Sequence, residues 1–381
     1  MNPVKQIWNE NPRLRAMVPR WLVRQFRRYL PMHRIQEELW KAENPWIGTP
    51  LEWEFNGTSR HRIGILRTPT QRHSFIMAAC QEMGVSYRVI DWFEEDWIER
   101  INASECDAFI TWPAITNTLW KTIGDERLAM LAGPMGRVVY PEVTAIWMYE
   151  SKRRSHDWMV AKGVEHPRTW VFVHEKAALD FVAKASYPLV YKTDLGAAAA
   201  GVEIVRTHQR AKAIVLKAFK SGIVVPRGDK RDRFWGHVLF QEYLPEIQEW
   251  RMVRVGDTYF CRYKEPGADG LHSGSGTVRW EKPPIELLER TRQITDLGGF
   301  TSMNIDFFET TDGRFLVNEL HAVFGTPRNP KRGEENGGRW LRDEQGNWHF
   351  EKGYWYQNGC SNLRLKNLLA MLGEQIEVAS A

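Results

Sequence analysis

Two stretches of this chain read as β-hairpins that set like charges face to face, one pair acidic and one basic. The alternating run Met303-Asn304-Ile305-Asp306-Phe307-Phe308 and the run Arg314-Phe315-Leu316-Val317-Asn318-Glu319 flank Asp312-Gly313, a two-residue hairpin signal. Counting outward from that turn pairs Asp306 with Glu319 and Asn304 with His321. In Arg251–Lys264 the turn is Gly256-Asp257, and the same count sets Arg251 against Arg262. Opposed Cβ atoms lie about 4.5–5.5 Å apart, where like charges destabilise a sheet. A divalent cation would answer the acids, and a phosphoryl group the arginines. A slip of one residue would send the side chains to opposite faces and abolish both constellations.

The length, 381 residues, is enough for a sizeable core and about two or three domains. A net charge of +5 is modest; it argues against a dedicated nucleic-acid binder while leaving room for anionic substrates. The four cysteines, Cys80, Cys106, Cys261 and Cys360, form no Cys-x-x-Cys pair. With no apolar signal segment at the N-terminus, the expectation is a reducing cytoplasm. No run has the apolar length needed to cross a bilayer. The 18 tryptophans are either core material or stacking platforms for sugars or bases.

Residues 1–60 read as a basic, helical extension. Seven arginines and no acid fall between Asn11 and Gln36, and Leu22, Phe26, Tyr29 and Leu30 share one side of a helix whose other side is largely arginine. Such a helix either packs its apolar side on the protein or lies peripherally, through residues 11–36, on an anionic membrane at its inner face. Residues 61–147 alternate strand and helix, a small parallel α/β domain. Residues 148–240 follow with a helix over 151–162 that closes at Gly163, strands at 170–173, 189–192, 202–205 and 238–242, and helices over 176–184 and 209–220. Residues 241–381 hold the two charged hairpins around a helix over 284–297, a polar surface segment over 325–356 and a last helix over 362–372.

Between the strands 189–192 and 202–205 runs Lys192-Thr193-Asp194-Leu195-Gly196-Ala197-Ala198-Ala199-Ala200-Gly201. It has the glycine spacing of a phosphate-binding P-loop, but Val202 and Glu203 stand where the lysine and hydroxyl residue belong. What remains is a small-residue loop led by a lysine, either a plain connection or a flap whose backbone N–H groups meet phosphate oxygens. A second glycine-rich loop, Gly267–Gly276, holds His272, Ser273 and Ser275 and precedes Arg279; it is an exposed connection or an acceptor site.

In order and spacing these parts resemble the ATP-grasp superfamily, glutathione synthetase-like in its ATP-binding fold, over residues 148–325. Ser151-Lys152 and Gly163-Val164-Glu165-His166-Pro167-Arg168-Thr169 look like the family's lysine helix and the segment after it. Tyr187-Pro188-Leu189-Val190-Tyr191-Lys192 looks like its second lysine strand, and Gln241-Glu242-Tyr243-Leu244 like its adenine-binding hinge. Glu249-Trp250-Arg251 looks like its ribose acid and neighbouring arginine; Asn304-Ile305-Asp306 and Asn318-Glu319-Leu320-His321 look like its metal strands. The resemblance implies an α/β and α+β ATP-grasp fold behind a small parallel α/β domain. It also implies a carboxylate–amine ligase that spends ATP with Mg²⁺, forming an acyl phosphate that an amine captures with release of ADP and phosphate. Lys152 and Lys192 would hold phosphates, and Gly196, Ala197 and Gly201 would bound the flap. Gln241, Glu242, Tyr243, Leu244 and Glu249 would hold the nucleoside, Asp306 and Glu319 the metal, and Arg251 and Arg262 the acyl phosphate.

One position departs from the family pattern: His321 stands where most members have Asn, and Mg²⁺ prefers oxygen. Asn318 or Asn304 supplies the amide oxygen instead, or His321 favours Mn²⁺, or it serves substrate. The carboxylate itself, small molecule or polymer, and its amine acceptor stay open, with a lean towards a membrane-proximal polymer or glycolipid. The rival reading is a degenerate nucleotide-binding scaffold near a membrane; a kinase-like transfer is the third.

Overall fold

The computed structural model describes residues 53–67, 73–113, 118–196, 201–224, 232–264, 278–279, 281–324 and 337–376. The basic helix, Ala197 and the loop 267–276 lie outside them. Residues 51–381 form one compact unit, and all that follows concerns it.

Its first layer comprises β1 (Glu54–Phe55), β2 (Arg62–Leu66), α1 (His73–Glu82), β3 (Ser86–Ile90), α2 (Trp97–Ala103), β4 (Ala108–Thr111), α3 (Thr118–Ala132), β5 (Val138–Tyr140) and α4 (Val143–Met148). The sheet order is β1-β3-β2-β4-β5, with β2 to β5 parallel. Side-chain alternation divides its two faces. Ile63, Ile65, Ala108 and Ile110 pack with Ile76 and Ala79 of α1, while Leu66 and Phe109 pack with Ile101, Leu128 and Leu131 of α2 and α3. The parallel α/β unit is thus as expected. β1, which falls inside the segment assigned to the extension, pairs antiparallel with β3 and belongs to this sheet.

The second layer holds α5 (Lys152–Lys162), β6 (Thr169–Phe172), α6 (Glu175–Lys184), β7 (Leu189–Lys192), β8 (Val202–Val205), α7 (His208–Lys220), the short pair β9 (Ile223–Val224) and β10 (Arg233–Phe234), and β11 (Val238–Glu242). Ser151 caps α5, its side chain accepting from the Arg154 amide, and Gly163 at φ 66° ends it in the left-handed conformation that glycine adopts without Cβ strain. In the antiparallel sheet β6-β11-β7-β8, Leu189, Tyr191, Val238 and Phe240 pack against α6 and α7. Lys192, Leu239 and Gln241, the alternate residues, therefore occupy the other face.

The third layer is a seven-stranded antiparallel sheet: β12 (Gln248–Val255), β13 (Thr258–Lys264), β14 (Val278–Arg279), α8 (Ile285–Gly298) across it, β15 (Ser302–Glu309), β16 (Phe315–His321), β17 (Gly338–Arg342) and β18 (Trp348–Lys352), then α9 (Gln357–Met371). Two expectations for the end of the chain are corrected. Residues 338–352 are a paired hairpin that extends this sheet, with Trp340 buried, where a polar surface segment was expected. The last helix returns to the first layer: Leu365, Leu368 and Leu369 are fully buried among Ile63, Ile65 and Ile76. Neither was legible locally, because a short polar-rich strand and a terminal helix take their place from distant partners.

If α9 closes the first layer, Leu368→Ala removes a fully buried side chain and costs about 2–5 kcal/mol. Urea unfolding checks this; a loss comparable to that of an exposed-site control would contradict the packing.

Candidate functional site

Both predicted charge pairs form. Arg251 is directly opposite Arg262 across a Gly256-Asp257 turn, and Asp306 opposite Glu319, with Asn304 opposite His321. The acidic hairpin reaches that register by two compensating departures. Its loop is longer than two residues, with Glu309 paired to Phe315, and a bulge between Asp306 and Phe307 then leaves Asn318 unpaired. A bulge re-aims side chains: Val317 and Leu320 stay in the core, whereas Asn318, Glu319 and His321 are all less buried and line one cleft.

The inference that each like pair needs a bound counterion is corrected. β12 lies between β13 and β15, so Arg251 also faces Asp306, and the row Glu319–Asp306–Arg251–Arg262 runs minus, minus, plus, plus across four strands. Arg251 donates from Nε and Nη2 to the two Asp306 oxygens, each at 2.9 Å. Lys264 Nζ adds a bond to Asp306 at 2.6 Å and another to Glu249. Asp306 is wholly buried, which opposes its charge, yet Arg251 and Lys264 hold its carboxyl well below the usual range. Burial likewise opposes the Glu319 carboxylate, and Lys152, His321 and Lys192 overcome it, again lowering its pKa. Glu249 goes the other way, raised by burial despite Lys264.

The cleft, about 430 Å³, lies between the second and third layers. Lys152, at the first turn of α5, donates to the Gly196 carbonyl at 3.0 Å and stands 3.6 Å from Glu319. Lys192, on β7, donates to Asn318 Oδ1 at 2.8 Å. Burial and the nearby Lys152 lower its pKa to about 8, against the pull of Glu319 and Glu249. Asp194 locks the arrangement: its carboxylate accepts from Ser151 Oγ at 3.0 Å and from the Arg153 amide at 2.9 Å, an anion at a helix N-terminus. Gly196 and Gly201, at φ 153° and 84°, bound the loop. Gln241 lines the cleft and donates to Thr169 at 3.1 Å. Its neighbours Glu242, Tyr243 and Leu244 do not line it; Glu242 accepts from the Arg168 amide at 2.7 Å.

Glu249, Arg251, Arg262 and Asp306 do not line this cleft either. Glu249 is sealed in its ion pair with Lys264, and Arg251 and Arg262 line a second cavity. Lys264 was recoverable, since the count that pairs Arg251 with Arg262 pairs it with Glu249. Asp194 and Glu150, the latter 4.0 Å from His321, carried no such signal, because chain distant in sequence brings them there.

For a metal, Asp306, Glu319 and His321 offer ligand atoms within 4.8 Å of one another. Asn304 Oδ1 is buried with no hydrogen-bond partner, whereas Asn318 Oδ1 is taken by Lys192. Two carboxylates and an orphaned amide oxygen fit a hard cation, and they favour Asn304 over Asn318 as the amide ligand. His321 donates to Glu319 at 3.0 Å; burial opposes its charge, but Glu319, Glu150 and Asp306 raise its pKa. That bond seats His321 beside the Glu319 carboxylate.

Comparison with known proteins finds no matching family model and no matching curated protein. Solved structures do match. D-alanine–D-alanine ligase from Bacillus anthracis is 14% identical, covering 82% of this chain and 98% of that one, with a TM-score of 0.53. N5-carboxyaminoimidazole synthetase from Staphylococcus aureus is 14% identical over 85% and 80%, TM-score 0.52. The biotin carboxylase domain of Hydrogenobacter thermophilus 2-oxoglutarate carboxylase, solved with MgADP, ADP and bicarbonate, is 12% identical over 84% and 71%, TM-score 0.55. The chain has the ATP-grasp fold.

Lys264→Met leaves Glu249 buried without its ion pair, while Asp306 keeps Arg251, and should cost about 3–5 kcal/mol in urea unfolding. Asp306 and Glu319 have lowered folded pKa values, so their stabilisation is complete above the unfolded carboxylate range near about 4. It is lost as pH falls through the folded values. The stability gap between wild type and Asp306→Asn should therefore narrow below about pH 4; a gap constant with pH contradicts the charge row.

Proposed function

We propose that this chain is an ATP- and Mg²⁺-dependent ligase that activates a carboxylate as its acyl phosphate and passes it to an amine or related nucleophile, releasing ADP and phosphate. One observation carries the reading. Lys152 from a helix, Lys192 from the second layer and Glu319 from the third meet in one cleft although 126 residues separate Lys192 from its partner Asn318. Fixed cations in a partly closed site stabilise charge on a transferring phosphoryl group. Lys152 and Lys192 are placed to hold phosphate oxygens, and the loop bounded by Gly196 and Gly201 to cover them and exclude water. Asp306, Glu319 and Asn304 would hold Mg²⁺, which would supply positive charge to offset that of the phosphates. The similarity to proteins named as ligase, synthetase and carboxylase supports the class.

A second reading, nucleotide binding without turnover, draws on Arg251 and Lys264 occupying the Asp306 oxygens, which a metal must displace or share. Incubation with MgATP and a panel of carboxylates and amines separates the two. The ligase yields ADP, phosphate and an adduct of matching mass. AMP release contradicts the acyl phosphate, and ATP binding with no product across the panel favours the second reading.

Lys192, with its pKa near about 8, gains charge stabilisation when phosphate arrives, so nucleotide binding should take up a proton. Affinity is then highest below pH 8 and falls as pH rises through it. Calorimetry at pH 8 in buffers of different ionisation enthalpy reads the uptake; identical enthalpies in all buffers would contradict this role.

A further inference from the structure

Helix α5 turns one face to the cleft: Lys152, Ser155, His156 and Met159 all line it, at the spacing of a single helical stripe. Lys152 heads the stripe at the phosphate end, and His156 follows one turn, about 6 Å, further along. A chain of hydrogen bonds fixes which nitrogen of His156 carries the proton. The Val164 carbonyl can only accept, so His166 Nδ1, at 2.7 Å from it, is protonated. With both rings neutral, His166 Nε2 is then a bare acceptor, and His156 Nδ1, at 3.2 Å, donates to it. That leaves His156 Nε2 as an unprotonated lone pair. Burial and the neighbouring His166 lower the pKa of His156, against the pull of Asp157, which favours the neutral ring. Among the described residues nothing bonds to this Nε2, and the atom is not sealed from contact. A second relay orients Gln241. Thr169 Oγ1 donates to the Pro167 carbonyl at 2.8 Å, so towards Gln241 it accepts. Gln241 therefore gives Thr169 its Nε2, at 3.1 Å, and its Oε1 is left as an acceptor without a partner among the described residues. Both relays end on backbone carbonyls of the segment after α5, and each leaves a lone pair free.

We propose that the end of the cleft away from the phosphates reads the 6-amino group of a purine, through His156 Nε2 and Gln241 Oε1. The two N–H bonds of that group match two acceptors. Met159, Leu239 and Leu320 line the same cleft and suit the faces of a flat ring. Imidazole and amide acceptors are neutral, which fits an uncharged aromatic amine better than an ammonium; the carboxylates Glu150 and Glu319 lie at the Lys152 end, around His321. A 6-oxo purine would set its own lone pairs against these two and leave both unpaired, which costs affinity. The assignment rests on the reading of the cleft as a nucleotide site and adds the reason for adenine over guanine. It also shifts base recognition from the segment 241–244 to Gln241 and α5, since Glu242, Tyr243 and Leu244 do not line the cleft. His166 acts only through His156 and is a positioning residue.

Calorimetric titration of the full chain with MgATP, MgITP and MgGTP tests this, because the last two carry a 6-oxo group. ATP should bind about tenfold or more tighter than either. His156→Leu and Gln241→Met should each weaken ATP by about tenfold and leave ITP no weaker, so that the preference collapses. His166→Phe should lower the preference with ITP binding intact. In long-range ¹H–¹⁵N spectra it should also release His156 from the single tautomer, protonated at Nδ1, that the wild type shows. Equal affinity for ATP and ITP in the wild type, or a wild-type His156 protonated at Nε2, overturns the assignment without any variant having to fold. An unchanged preference in His156→Leu or Gln241→Met overturns it too. A preference for ATP with no product across the panel of carboxylates and amines overturns the ligase reading and leaves the base site standing; absence of binding by all three nucleotides overturns both.

Discussion

The architecture around the cleft depends on a row of charges lying across four strands of one antiparallel sheet, two acids followed by two arginines. Any of these groups buried alone would be prohibitive. Set in this order, Asp306 meets Arg251 directly, Lys264 closes the gap to Glu249, and the lysines of the neighbouring layer reach Asn318 and Glu319. Truncating one member leaves another uncompensated in the interior. The row is thus both a structural seam and a fixed electric field, positive at the arginine end and mixed at the cleft, ready for an anionic ligand without reorganisation.

Layering turns that row into a site. In the second sheet, alternation sends Tyr191 into the helix-covered core and Lys192 to the opposite face; in the third, a bulge sends Asn318 and Glu319 to the same side. Asp194 then ties the start of the lysine helix to the strand that carries Lys192. The two lysines are therefore placed by backbone geometry more than by their own flexible stems.

Much of this was legible in the sequence. Val238–Glu242 and Leu189–Lys192 read as strands because short apolar and aromatic runs bounded by turn residues have few alternatives, and the Gly256-Asp257 turn fixed the arginine pair. The acidic pair was reached by a count that ignored both the longer loop and the bulge, two errors that cancelled. What sequence withheld was contact between distant segments: Asp306 opposite Arg251, and the last helix closing the first layer. Four strands side by side decide which charge faces which, and pairwise hairpin counting stops at two. Seven of the tryptophans, Trp92, Trp97, Trp112, Trp158, Trp250, Trp340 and Trp355, are buried, so core packing accounts for them.

The central claim is that the lysines of two different elements hold one triphosphate in the cleft. Calorimetric titration of MgATP against the wild type and against the Lys152→Ala/Lys192→Ala variant tests it most directly. The account predicts saturable binding that weakens at least a hundredfold in the double variant, whose fold is checked by its unfolding transition. Equal affinity in the two proteins, or no binding to either, would contradict it.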